Sequence, residues 1–184
     1  MQPMRQIVGN SEQTYFVSSQ TALNRPLFAD EQWATQLLDV ILSCRVNLFH
    51  LHAYVIMPDR FYLLISPEDF LGATIRSIKG NFSLRARKSF AWQHQVWRPG
   101  YSGRHIAESR DWNESAAFIL DQPIERGLSE RFETFPYMAS DLDPIPQWLT
   151  KTLSATKGIG GTDGESFQKQ VALPLSEKKI DASC

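Results

Sequence analysis

The sequence predicts an α+β sandwich of the ferredoxin-like kind, with helices packed on one antiparallel sheet. Three observations carry this expectation. Apolar spacing switches between strand and helix periods in the order β-α-β-β-α-β-α. Two strand-like runs, "NLFHLHAYVIM" and "RFYLLIS", are separated only by Pro58 and Asp59, which reads as a hairpin break. The chain has 184 residues, 42% hydrophobic and 21% charged, enough for one cored domain with a remainder.

The elements follow in order. "QTYFVSSQ", 13–20, is rich in β-formers and reads as the first strand. Asn24 and Pro26 break the chain into a loop. Residues 30–44 form a helix, because Trp33, Leu37, Leu38, Ile41 and Leu42 recur at helical spacing and Asp30 can cap its start. Residues 47–57 and 60–66 are the hairpin strands. In the second, Phe61, Leu63 and Ile65 face one side while Arg60, Tyr62 and Leu64 face the other. Pro67, Glu68 and Asp69 suit the start of a helix over 67–91, which Gly80 weakens. "HQVWRPGYSGRHIA", 94–107, is strand-like. A last helix runs from about Asn113 to Asp121, with Pro123 disturbing its end. The domain is expected to span 1–145. Residues 146–184, rich in Gly, Ser, Thr and Lys, are expected to be a flexible tail.

Several function classes are excluded as expectations. No apolar run approaches a membrane span, and the N-terminus lacks a signal-peptide core. Cys44 sits in a helical pattern and Cys184 ends the chain, so no disulfide framework is expected. The protein reads as soluble and cytoplasmic. His50 and His52 share a strand face, but no third ligand lies nearby in sequence, so satisfied polar residues are the preferred reading. "GIGGTDGES" lacks the Gly-Lys-Ser/Thr ending of a phosphate loop.

The net charge of −1 hides an asymmetry. From Leu71 to Ala107 there is no Asp or Glu, while Arg76, Lys79, Arg85, Arg87, Lys88, Arg98 and Arg104 fall there with His94 and His105. Phe82, Phe90, Trp92, Trp97 and Tyr101 are interleaved. Cations for phosphates beside flat rings for bases suit single-stranded nucleic acid. The competing interpretation is a solvated helix face over core aromatics.

Collinear segments over about 13–140 resemble the REP-associated tyrosine transposases, a branch of the single-tyrosine HUH transposases. "TYFVSSQTALNRPLF" is similar to the family's opening strand and its "RxxLF" loop. "FHLHAYVIMPDRFYLLI" resembles "hAYVlMPNHvHLLi", and "IKGNFSLRARK" resembles the basic helix that follows. "VWRPGYSGRHI" resembles "vWqrgyydrvi", "FILDQPIERGL" resembles "YIhlNPvraGLv", and "FETFPYMAS" resembles "pedYpwSS". The resemblance implies an HUH domain that acts on single-stranded DNA beside a hairpin. Two strand histidines and a polar residue on the last helix would hold Mg²⁺ or Mn²⁺, which polarises the scissile phosphate. A tyrosine on that helix would attack phosphorus and become linked to the DNA.

This chain departs from that pattern. Arg60 and Tyr62 occupy the histidine positions, and Phe118 occupies the tyrosine position. Gln122, four residues further, keeps a type that suits the third ligand. Arginine stays protonated and cannot ligate, and phenylalanine has no oxygen to attack with. No intact catalytic residue, metal site or cofactor is therefore expected. The expected function is binding of single-stranded or hairpin DNA without strand cleavage. The expected contacts are Arg60, Tyr62, Arg76, Lys79, Arg85, Arg87, Lys88, Trp97, Arg98, Tyr101, Arg104 and His105. Two alternatives remain: an active transposase or nuclease using non-family residues, Tyr101 being a candidate displaced nucleophile, or a structural or regulatory protein that kept only the fold. The sequence does not determine oligomeric state.

Overall fold

A computed structural model describes residues 13–130 and 134–140. The sheet consists of β1 (Thr14–Gln20), β2 (Phe49–Met57), β3 (Arg60–Pro67), β4 (Ser102–Ile106) and β5 (Met138–Ser140). The order is β4-β1-β3-β2-β5 and each neighbouring pair is antiparallel. Helices α1 (Glu31–Leu48), α2 (Leu71–Phe90) and α3 (Ser109–Glu125) pack on it. This is the expected α+β architecture, with β3 at the centre.

Strand alternation divides the packing into two cores. Phe61, Leu63 and Ile65 of β3 join Val17, Leu51 and Ile56 against α1 and α2. Tyr62 and Leu64 join Phe16, Val55 and Met57 against Ala116 and Ile119 of α3. The Pro58-Asp59 hairpin forms as expected, with Met57 opposite Arg60. It is held from outside by Thr21, whose backbone N–H donates to the Asp59 carbonyl at 2.9 Å. The fully buried Thr21 hydroxyl also reaches the Arg25 carbonyl at 2.7 Å.

The Asp30 carboxylate accepts from the Gln32 and Trp33 amides at 2.9 and 3.2 Å, as a helix cap should. Asp30→Ala is expected to cost about 1 kcal/mol. Thermal denaturation that shows no loss would remove the cap from the account of α1.

Several boundaries need correction. The strand expected over 94–107 is confined to Ser102–Ile106. Gly100 takes φ 75°, which with Pro99 breaks the extension, and Trp97 makes only an isolated bridge to Thr21. Helix α1 runs to Leu48 rather than ending at residue 44, and α2 begins at Leu71 rather than 67. Gly80 does not interrupt α2. Helix α3 extends over 109–125 and absorbs Pro123 in its last turn. Gly127, at φ 64°, closes that end by donating to the Ile124 carbonyl. Strand β5, too short for a periodic signal, was not expected. The expected division at residue 145 and the tail over 146–184 lie outside the described residues.

Candidate nucleic-acid interface

The motif positions meet at the α3 side of the sheet. Tyr62 and Phe118 pack edge to face with ring centroids 5.6 Å apart. Phe16 of β1 completes the group, 5.8 Å from Tyr62 and 5.6 Å from Phe118. Tyr62 is 7% exposed, so it serves this ring cluster and does not offer a free face to a base, contrary to its expected contact role. Phe118 is 41% exposed and does reach solvent. The Arg104 guanidinium lies 6.0 Å from the Phe16 centroid and donates to the Ser115 hydroxyl of α3 at 2.9 Å.

Arg60 forks onto its neighbour Asp59. Its Nε lies 3.1 and 3.3 Å from the two carboxylate oxygens, and Nη2 lies 2.8 Å from Oδ2. Arg126, just beyond α3, brings Nη1 to 3.6 Å from Oδ1 of the same carboxylate. Burial pushes the Asp59 carboxyl up, but the Arg60 hydrogen bond and the Arg60 and Arg126 charges outweigh it and hold it below the ordinary carboxylate range. The Asp59 hydrogen bond likewise raises Arg60, so this guanidinium stays charged. Gln122 is buried, and its amide donates to Glu125 at 2.8 Å.

These donors do not fit a divalent cation. Arg60 offers no lone pair, Asp59 is taken up by two guanidiniums, and Gln122, whose Nε2 donates to Glu125, brings one neutral amide oxygen at most. Among the described residues no three His, Cys, Asp or Glu side chains come together. His50 and His52 do share the α3 face, their rings 4.6 Å apart. His52 bonds Ser66 at 2.8 Å, and burial first, then His50, lowers its pKa to about 4. It is a neutral, hydrogen-bonded histidine of the core margin.

The basic stretch separates into distinct surfaces. On α2, Arg76, Lys79, Ser83 and Arg87 share one flank at about 100° per residue. Lys79, Ser83 and Arg87 face His94, Gln95 and Arg98 across an open groove of about 500 Å³. Arg98 extends from there to the Gln20 side-chain oxygen at 3.1 Å, and Gln20 stands opposite Arg60 in the β1–β3 register. The groove and the motif site therefore meet at one end of the sheet.

Other expected contacts are engaged within the protein or lie on other faces. Trp97 is 5% exposed, ringed by Phe28, Phe61 and Phe82, and its indole N–H donates to the Lys79 carbonyl at 3.0 Å. It is a core residue, which corrects its assignment as a stacking ring, as full burial does for Phe82. Lys79 Nζ donates to the Arg98 and Gly100 carbonyls at 2.9 and 2.6 Å, so it ties the loop and is drawn away from phosphates. Arg85 and Lys88 follow Asn81 at i+4 and i+7, and Asn81 points to Cys44 on α1, so both lie on the opposite flank from Arg87. His105 meets Tyr15 in a tilted ring contact at the α1–α2 face. Tyr101 packs beside Gly103 and Gly72 on that same side, across the sheet from Phe118. Tyr101 is thus not placed to stand in for a nucleophile at the motif site.

Sequence reasoning missed Phe16, Gln20, Asp59 and Arg126. Asp59 was visible beside Arg60, but the β1 register and the end of α3 are tertiary facts that spacing does not carry.

The whole-chain shape was compared with known proteins. A REP-associated tyrosine transposase, solved bound to a REP hairpin, superposes with a TM-score of 0.60. The alignment covers 91% of this chain and 96% of that one at 17% identity, which shows a shared fold. A candidate transposase from Deinococcus radiodurans aligns over 68% of this chain and 97% of its own at 23% identity. Its TM-score of 0.47 is too low to support an argument. No family model and no curated protein sequence matches the chain. Among the described residues no helix is long and apolar enough to cross a membrane.

Proposed function

We propose that the chain is a transposase-fold protein that binds single-stranded or hairpin DNA in the cytoplasm without cutting it. The observation that carries this reading is the residue set at the motif site. A guanidinium, a buried phenol and a phenyl ring occupy the two ligand positions and the nucleophile position. That set offers charge and an exposed ring to a nucleic acid and no imidazole pair to a metal, and its one hydroxyl, on Tyr62, belongs to a side chain only 7% exposed within the ring cluster. The groove beside it supplies further cations, and the structural neighbour solved with a REP hairpin supports DNA as the partner. The reading of an active nuclease with displaced residues is disfavoured by Tyr101, which lies across the sheet. A protein that kept only the fold would show no DNA binding.

The test is a salt titration with labelled hairpin DNA. Replacing Arg76, Arg87 and Arg98 together with alanine is expected to weaken binding at least about tenfold and to flatten the salt dependence by about 0.7 per lost contact. Replacing Arg85 and Lys88, on the other flank, is expected to change little. An unchanged slope in the first variant would overturn the assignment of this surface.

A further inference from the structure

We propose that Arg60 and Arg126 form a clamp for one backbone phosphate, and that Asp59 closes this clamp in the free protein. The inference rests on the DNA-binding reading above and adds a residue, Arg126, and an internal competitor to it. Two guanidiniums converge on a single carboxylate: the fork of Arg60 at 2.8–3.3 Å and Arg126 at 3.6 Å. A carboxylate and a phosphodiester each carry one negative charge over two free oxygens. A guanidinium fork accepts either. What holds Asp59 can therefore hold a phosphate in its place.

Three features favour a binding site over a purely structural ion pair. The cluster has two cations for one anion, so a net positive charge remains when Asp59 is bound. Its cations reach solvent, with side-chain exposures of 19% for Arg60 and 39% for Arg126. It stands on a fixed frame: Thr21 holds the Asp59 carbonyl, Phe28 donates to the Pro58 carbonyl at 2.9 Å, and the Arg126 amide bonds the Gln122 carbonyl at 3.2 Å. The exposed Phe118 and the Arg98–Gln20 bridge border the same end of the sheet. A strand crossing it would lay a base near the ring and a phosphate near the clamp. Asp59 sets a threshold against weak anions, because any incoming phosphate must displace a carboxylate already in place.

The experiment compares wild type, Asp59→Asn and Arg126→Ala by hairpin-DNA titration. Asparagine keeps the shape and one acceptor for Arg60 while removing the competing charge. It is expected to tighten binding by about five- to tenfold and steepen the salt dependence by up to about one counterion. Arg126→Ala, at an exposed position, is expected to weaken binding about fivefold. In parallel, inorganic phosphate is titrated into Asp59→Asn while the Arg side-chain Nε–Hε resonances are recorded. Selective shifts of Arg60 and Arg126 are expected. Wild-type DNA binding that neither substitution alters would overturn the clamp and leave the DNA reading intact. Absent DNA binding with selective phosphate shifts would overturn the DNA reading and leave the clamp as an anion site. Absent binding with no shifts would overturn both.

Discussion

Replacing Trp97 with alanine is expected to lower stability by about 3–5 kcal/mol, the range for deleting a large buried aromatic ring. For a chain of this size that corresponds to a melting point lower by roughly 6–20 °C. The effect is large because Trp97 does two jobs. Its ring fills the space between Phe28, Phe61 and Phe82, at centroid separations of 5.6, 5.4 and 5.5 Å. Its backbone and indole also fasten an otherwise irregular segment: a bridge to Thr21, and an N–H donated to the Lys79 carbonyl. Trp97→Phe keeps most of the ring and loses the hydrogen bond, so it is expected to cost about 1–2 kcal/mol. Denaturant melts of both variants check this. Trp97→Phe, which keeps the segment carrying Arg98 packed, is expected to leave DNA affinity near wild type. A selective loss of DNA binding without loss of stability would return Trp97 to the interface.

That residue also shows where sequence reading reaches its limit. A tryptophan in a basic stretch has the same local pattern whether it stacks on a base or fills a core. Only tertiary packing separates the two, here the contacts with Phe28, Phe61 and Phe82. The alternation in "RFYLLIS" was legible because a strand has one period and two faces, so Phe61 and Tyr62 had to enter different cores. The hairpin was legible because Pro58 and Asp59 punctuate two continuous apolar runs. The basic stretch was legible as charge and not as surface. Helix α2 sends Arg87 and Lys88 to opposite flanks although they are adjacent, and Lys79 folds back onto carbonyls. Asp59 and Arg126 are far apart in sequence and meet only because α3 ends beside the β2–β3 turn.

Placing the residues of the resembled family at positions 60, 62 and 118 is expected to bring measurable covalent chemistry to the site. Wild type should form no covalent adduct with labelled hairpin DNA in Mg²⁺ or Mn²⁺, because the described site brings no imidazole pair to a metal, Phe118 has no hydroxyl, and the nearby Tyr62 phenol is only 7% exposed. Arg60→His and Tyr62→His put two imidazoles on one face of β3, the period-two spacing that lets both meet one cation. Phe118→Tyr adds a hydroxyl at the exposed ring that already lies 5.6 Å from Tyr62. Losing Arg60 also removes the charge that would repel the metal and frees Asp59 from its fork. The triple variant is therefore expected to give weak adduct formation that EDTA abolishes. Phe118→Tyr alone should give none, since the nucleophile would lack a polarised phosphate. Arg60→His with Tyr62→His should also give none, since a metal without the tyrosine has no protein oxygen to direct at phosphorus. Denaturing gels of the four proteins read these outcomes directly. An adduct in wild type, mapped to any tyrosine, would show that cleavage runs through residues other than those at the motif site.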